Sequence, residues 1–289
     1  MADSDIRICE VNVSFSEEVF QGALKLSTGN ISTITYALVE VCVVNRNGSE
    51  AAGVGGIFLS DLWAFGQALP DTERGLKAKA MRELAESLRT ALSEVSDYGD
   101  PLQLSFGMER AIESMSARVC EEIGLPLIPE LAQRVCWSPF DAAIHDAWGR
   151  AAGKSCYAMY NVKHLNEDLS AYLGAGWEGI YPQQFLTNPR SKLQVQHVLG
   201  FTDPLYVDDV SAGGNRQPSA LEEWMVQDRV THIKLKTTGV DPQRDGKRIQ
   251  EVYEAAVAIA ESLGMEHDRI RIATDSNNNG HNIAAHIEM

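Results

Sequence analysis

His232-Ile233-Lys234-Leu235-Lys236 alternates basic and apolar side chains over five residues. Successive side chains on a strand point to opposite faces. His232, Lys234 and Lys236 therefore share one face, and Ile233 and Leu235 share the other. Downstream, Asp241-Pro242 opens a helix whose apolar stripe is Ile249, Val252, Ala256, Ile259 and Leu263, at three- and four-residue steps, with Gly264 as its stop. Ile270 to Thr274 is the next strand and runs into Asp275-Ser276-Asn277. Strand, helix, strand is the pattern of a parallel sheet with right-handed crossovers. In a β/α barrel the apolar face would meet the outer helices. The lysines would then point inward near the C-terminal end of their strand, where such barrels carry their active sites.

The same rhythm extends upstream to about residue 165. Leu169 to Leu173 reads as a short strand, residues 174–189 and 202–218 as extended loop, and Ser219 with Glu222 as a capping box opening a helix to about Gln227. Before residue 160 the pattern differs. Ile6, Ile8 and Glu10 to Val13 form a short strand. Ile34 to Val44 is a second, and Asn47-Gly48 is a hairpin turn signal leading into a third, Ala51 to Phe58. Met81, Leu84, Leu88 and Leu92 fall on one helical face, a second helix spans Phe106 to Ile123, and Gly124 stops it. Ser138-Pro139-Phe140-Asp141 has the form of a helix start with proline at the first position, and Phe140, Ile144, Ala147 and Trp148 form its stripe. The chain thus divides into an α+β part, residues 1–160, and a β/α part, residues 165–289.

Composition narrows the function classes. The 289 residues are 44% hydrophobic and 22% charged, enough for a sizeable core. A formal net charge of −15 repels phosphate backbones and disfavours nucleic acid as a partner. The acidic N-terminus lacks a basic-then-apolar targeting pattern, and no apolar run approaches the ~20 residues of a membrane span. A soluble, cytoplasmic protein is expected. Five cysteines, an odd number without close pairing, argue against a disulfide framework or zinc ribbon, and each is expected in the core. Gly53-Val54-Gly55-Gly56 lacks the spacing of a dinucleotide-binding loop, and no Gly-x-Ser-x-Gly elbow is present.

The lysine pair has a chemical and a bland interpretation. Two ammonium groups held together disfavour each other's protonation, and a lysine so perturbed serves as a general base near neutral pH. Asp275, just past the next strand, would be its neighbour and a candidate metal ligand. Alternatively, Lys234 and Lys236 protect an edge strand, and Asp275-Ser276-Asn277-Asn278-Asn279-Gly280 is a turn.

In order along the chain, Gly53-Val54-Gly55-Gly56, the Ala-rich segment Ser138 to Gly153, the Lys-x-Lys run His232 to Lys236, and Thr274-Asp275-Ser276-Asn277 resemble the mandelate racemase/muconate lactonizing branch of the enolase superfamily. The resemblance implies an enolase-like capping domain followed by a TIM-type barrel. It implies Mg²⁺-assisted abstraction of the proton α to a carboxylate in a small-molecule substrate, with a racemase, dehydratase or cycloisomerase outcome. Lys236 would be the base, Lys234 would hold the carboxylate, Asp275 would be the first metal ligand, and Asn277 would contact substrate. The Gly53-x-Gly55 segment would be a turn, and Phe20 to Ser32 and Gly55 to Leu59 would be closing loops.

A complete barrel takes ~250 residues, and residues 165–289 supply three strands at most. The family's two further acidic ligands are not met before Met289, and Thr237 to Arg248 is expected as an extra loop. The expectation is therefore a C-terminally truncated form with an incomplete barrel and weak or absent Mg²⁺ binding. The alternative is a catalytically inactive remnant acting as an oligomerisation or binding module, with a homo-oligomer conceivable in either case.

Overall fold

A computed structural model describes residues 2–26, 29–66, 74–210 and 220–276. The chain separates into two compact units, one of Met1–Val19 with Thr33–Asn188, the other of Phe20–Ser32 with Pro189–Met289. No helix among the described residues is long and apolar enough to cross a membrane.

The first unit is an antiparallel sheet backed by helices. Strands β1 (Ile6–Leu26), β2 (Gly29–Asn45) and β3 (Glu50–Phe58) lie in that order, the stretch Phe20–Ser32 at the ends of β1 and β2 being counted with the second unit. The β2–β3 hairpin closes at Asn47-Gly48 as expected. Asn45 Oδ1 accepts from the amides of Asn47 (3.0 Å) and Ser49 (2.9 Å), and Gly48 takes φ 81°. Alternate residues of β2, Ala37, Val39, Val41 and Val43, are buried. Against them pack helices α2 (Arg74–Ser93), α3 (Pro101–Ile123) and α4 (Glu130–Ala151), behind a short α1 (Asp61–Phe65). The stripe Met81, Leu84, Leu88 and Leu92 on α2 is fully buried, as are Phe140, Ile144, Ala147 and Trp148 on α4.

β3 and α4 approach until backbone meets backbone. A Cβ on Gly53 would lie 2.2 Å from the Ala143 carbonyl oxygen and from the Ala147 amide, and one on Gly55 would lie 2.0 Å from the Pro139 carbonyl oxygen. Val54 N–H donates to Asp146 Oδ2 across the same contact (3.0 Å). The glycine segment is therefore strand rather than turn; Gly53 and Gly55 are required by helix–strand proximity, while a Cβ on Gly56 would meet the Tyr36 side chain. Gly55 to Phe58 is likewise strand, not a closing loop, and Phe20–Leu26 and Gly29–Ser32 belong to β1 and β2; residues 27–28 lie outside the described residues.

Other expectations are corrected. The helix expected at Ser138 begins at Glu130 and runs through Pro139. Proline lacks the N–H that would bond the carbonyl four residues back. Here that carbonyl, Val135 O, accepts from Ser138 Oγ instead (2.9 Å). The helix expected from Phe106 begins at Pro101, capped by Asp100, whose side chain accepts from Gln103 N (3.1 Å). Leu169 to Leu173 is not a strand: α5 (Ser170–Leu173) is a helical turn, with the Asp168 carboxylate accepting from Ser170 N and Oγ and from Gly179 N. Cys9 is exposed and Cys42 and Cys156 are half-buried, so only Cys120 and Cys136 are the core residues expected.

The second unit is built on a parallel sheet. Its strands β4 (Gln196–Leu199), β5 (His232–Lys236) and β6 (Arg271–Asp275) lie in sequence order. Helix α6 (Leu221–Asp228) connects the first pair and α7 (Pro242–Ser262) the second. β4 lies where the pattern suggested no strand. α6 is capped at Ala220 rather than at Ser219, which falls outside the described residues, and Glu223 Oε2 accepts the Ala220 amide (3.1 Å). α7 opens at Asp241-Pro242 as expected, with Asp241 capping Arg244 N (3.1 Å), so the extra loop expected over Thr237 to Arg248 ends at Asp241 and residues 242–248 are helical. Ile233 and Leu235 are fully buried with Leu199, Leu221, Val252, Ala256 and Ile259.

Two consequences are measurable by thermal melts followed by circular dichroism. Gly55→Ala forces apart β3 and α4, and overpacking of this kind costs about 1–3 kcal/mol. Gly107→Ala, at an open position on α3 where an added Cβ meets nothing, stabilises by about 0.5–1 kcal/mol through helix propensity. Equal effects would contradict the close approach. His197 packs against Trp224 (ring centroids 4.6 Å, planes tilted by 39°), and burial lowers its pKa from the ordinary 6.5, against the opposing pull of Asp203 and Asp228. Its contribution to stability is therefore present above pH 6.5 and declines as pH falls through the lowered value. His197→Gln should flatten the decline in urea midpoint between pH 7 and 5; an unchanged slope would refute this assignment.

Candidate active site on the parallel sheet

The burial of Ile233 and Leu235 turns Lys234 and Lys236 to the opposite face of β5. β5 and β6 pair in parallel with Lys234 beside Ala273 and Lys236 beside Asp275. Asp275 is the last residue of β6, so the cluster sits at the C-terminal end of the strands. The sheet continues one bond further, from Thr237 N–H to the Asp275 carbonyl (3.1 Å).

Asp275 Oδ2 lies 2.6 Å from Lys236 Nζ and 2.7 Å from Lys234 Nζ. One carboxylate oxygen therefore accepts from two ammonium groups. The side chains are 36% (Lys234), 17% (Lys236) and 27% (Asp275) exposed, so water screens the charges only in part. The two lysines do come together, as alternation required, and the carboxylate between them offsets their mutual repulsion. This third member matters to the chemistry: a lysine takes a proton only as a neutral amine, and in this arrangement both nitrogens donate to Asp275. Asn277 lies outside the described residues.

The rim beside the cluster is held by a residue whose role the sequence pattern hid. Asp245, fully buried in the first turn of α7, accepts from Thr238 N (3.0 Å), Thr238 Oγ1 (2.9 Å) and Gly239 N (2.8 Å). An acidic residue in a first turn reads as favourable to the helix dipole. Here it also anchors the loop that leaves Lys236.

Asp275 was expected as a magnesium ligand. Mg²⁺ demands near-octahedral oxygen coordination. Among the described residues no group of three or more His, Cys, Asp or Glu side chains is placed to hold a metal ion, and Asp275 Oδ2 already faces two cations. The described residues alone do not fit a magnesium site.

No protein-family model and no curated protein matches the chain. Solved structures of enolase-superfamily enzymes, the superfamily whose motifs the sequence resembles, are similar to it. One is an enolase from Bradyrhizobium complexed with magnesium and mandelic acid: 17% identity, 95% of this chain and 55% of that one covered, TM-score 0.48. Another is an enolase from alpha proteobacterium BAL199 with bound magnesium: 14% identity, 98% and 58% covered, TM-score 0.49. A third is L-talarate/galactarate dehydratase from Salmonella typhimurium LT2: 16% identity, 95% and 52% covered, TM-score 0.44. The chain spans a little over half the length of each. At these identities and scores the likeness assigns no reaction to this chain.

Proposed function

We propose that the C-terminal end of the parallel sheet is a proton-abstraction site for a small carboxylate substrate, in a cytoplasmic enzyme of the enolase-superfamily type. What supports the reading is one observation: Lys234, Lys236 and Asp275 converge on a single carboxylate oxygen at the strand ends. In this reading Lys236, the less exposed lysine, is the base. Lys236 first releases its proton to solvent; the substrate's Cα–H bond then breaks, the proton passes to the neutral Lys236 Nζ, and the electron pair moves into the carboxylate to give an enediolate. Lys234 keeps its ammonium and faces the oxygen on which charge accumulates, the arrangement in which fixed charge contributes most to a barrier. Asp275 holds the two nitrogens together before substrate arrives. Return of the proton gives racemisation, and loss of a β-substituent gives dehydration; the three residues serve either.

Solvent exchange tests the reading. The chain is incubated in D₂O with a panel of small α-hydroxy and α-amino carboxylates, with and without Mg²⁺, and the α-proton signal is followed by NMR. Exchange is expected with at least one member and should fall by ~10²-fold or more in Lys236→Ala, the usual worth of a general base. Exchange that survives Lys236→Ala removes Lys236 as the base. A folded native chain that exchanges no member of the panel removes the proposal and leaves a binding module in its place.

A further inference from the structure

The opposite, N-terminal end of the same strands carries a second concentration of positive charge. A pocket of about 540 Å³ opens there, lined by Thr231 and His232 entering β5, Arg269 and Arg271 entering β6, Arg229 after α6, and the turn after α7 that includes Met265. Arg229, Arg269 and Arg271, all solvent-exposed, line it with one carboxylate, Glu266, which pairs with Arg269. In a chain of net charge −15 this local excess is unusual. The arginines are also held in place. Arg229 Nη1 donates to the Leu263 carbonyl (3.0 Å), and Arg271 Nη1 donates to the carbonyls of Asp268 (2.5 Å) and Ile270 (2.8 Å). Each guanidinium carries five N–H donors in a fixed fork, and among the described residues these carbonyl contacts engage only the Nη1 of Arg229 and of Arg271. Arg229 is, among the described residues, the only non-glycine with positive φ, at 52°. That conformation closes α6, a position glycine ordinarily takes, and a side chain held there pays in conformational energy.

We infer that this pocket is a ligand site, separate from the lysine cluster, for a small organic dianion of the phosphate or carboxylate class. Three guanidiniums less one carboxylate leave a formal +2 to be matched. Planar forks suit the paired oxygens of either anion. Leu263 and Met265 give the lining an apolar part, which accommodates a carbon skeleton. The competing account is that the arginines only cap helix ends and turns, in which case no ligand binds.

Titration of the full chain at fixed ionic strength, by calorimetry and by amide NMR shifts, separates the two accounts. The probes are inorganic phosphate, glycerol phosphate and succinate. Saturable binding is expected, with shifts at Thr231, His232 and Met265. It should weaken about tenfold or more in Arg229→Gly and in Arg271→Gln, in line with loss of a charge-assisted hydrogen bond, and persist in Lys234→Gln/Lys236→Gln. Tighter phosphate-ester or tighter succinate binding identifies the anion class. Arg229→Gly suits the left-handed backbone, so it decides the matter should Arg271→Gln fail to fold. Non-saturable shifts, binding unchanged in Arg229→Gly, or binding lost with the lysine variant would overturn the inference.

Discussion

Ile233 and Leu235 lie on the side of β5 that packs with α7, and neither is exposed to solvent. Burying two such side chains contributes about 1.5–3 kcal/mol each. A slip of one residue would expose both and press two ammonium groups into the apolar layer, so the register of β5 admits one solution. Everything at the strand ends inherits that solution. Lys234 and Lys236 face away from the helices because their neighbours face toward them. Parallel pairing then sets Asp275 beside Lys236. The polar cluster thus takes its geometry from apolar packing, and the ion pairs contribute position more than stability, as partly exposed pairs do.

Where burial on one face dictated the pattern, the sequence was legible. β5 was readable to the residue from its alternation, and the stripes on α2, α4 and α7 from their three- and four-residue steps. The Asn47-Gly48 turn was readable because few other residues tolerate its backbone. Two of the failures share a different cause: a side chain supplied a hydrogen bond that local rules assign to the backbone. Pro139 signals a helix start only while nothing else satisfies Val135 O; Ser138 Oγ satisfies it, and the helix continues. Leu169 to Leu173 has strand-like composition, yet Asp168 gathers three donors and winds it into a turn. β4 is only four residues long, with its flank of loops too irregular to frame it.

The candidate site was legible to a comparable depth. Alternation identified the lysine pair and strand order identified Asp275. That Asp275 places one oxygen between both nitrogens was not readable, because it depends on side-chain reach across two strands. Asp245 was hidden for a related reason, since its helix-dipole role is sufficient to explain an acid in a first turn and conceals its hold on Thr238 and Gly239. The glycines of β3 show the converse. A motif that resembles a turn is explained by packing alone, because no Cβ fits between β3 and α4.

The parallel sheet carries cations at both ends of its strands, within a chain whose net charge is −15. These operate over different ranges. The overall charge repels an approaching anion across many ångströms, but at physiological salt that field is screened beyond about 8 Å. The ammonium and guanidinium groups act within hydrogen-bond distance, where salt screens them less. Low salt therefore lets the overall repulsion slow the arrival of an anionic ligand, and high salt weakens its final contacts. An acidic protein with locally concentrated cations is suited to small anions that enter a local site, and unsuited to polyanions that must lie along its surface. The sheet's two poles are consistent with the first and with the exclusion of the second, and that selectivity follows from the placement of five basic side chains rather than from net charge.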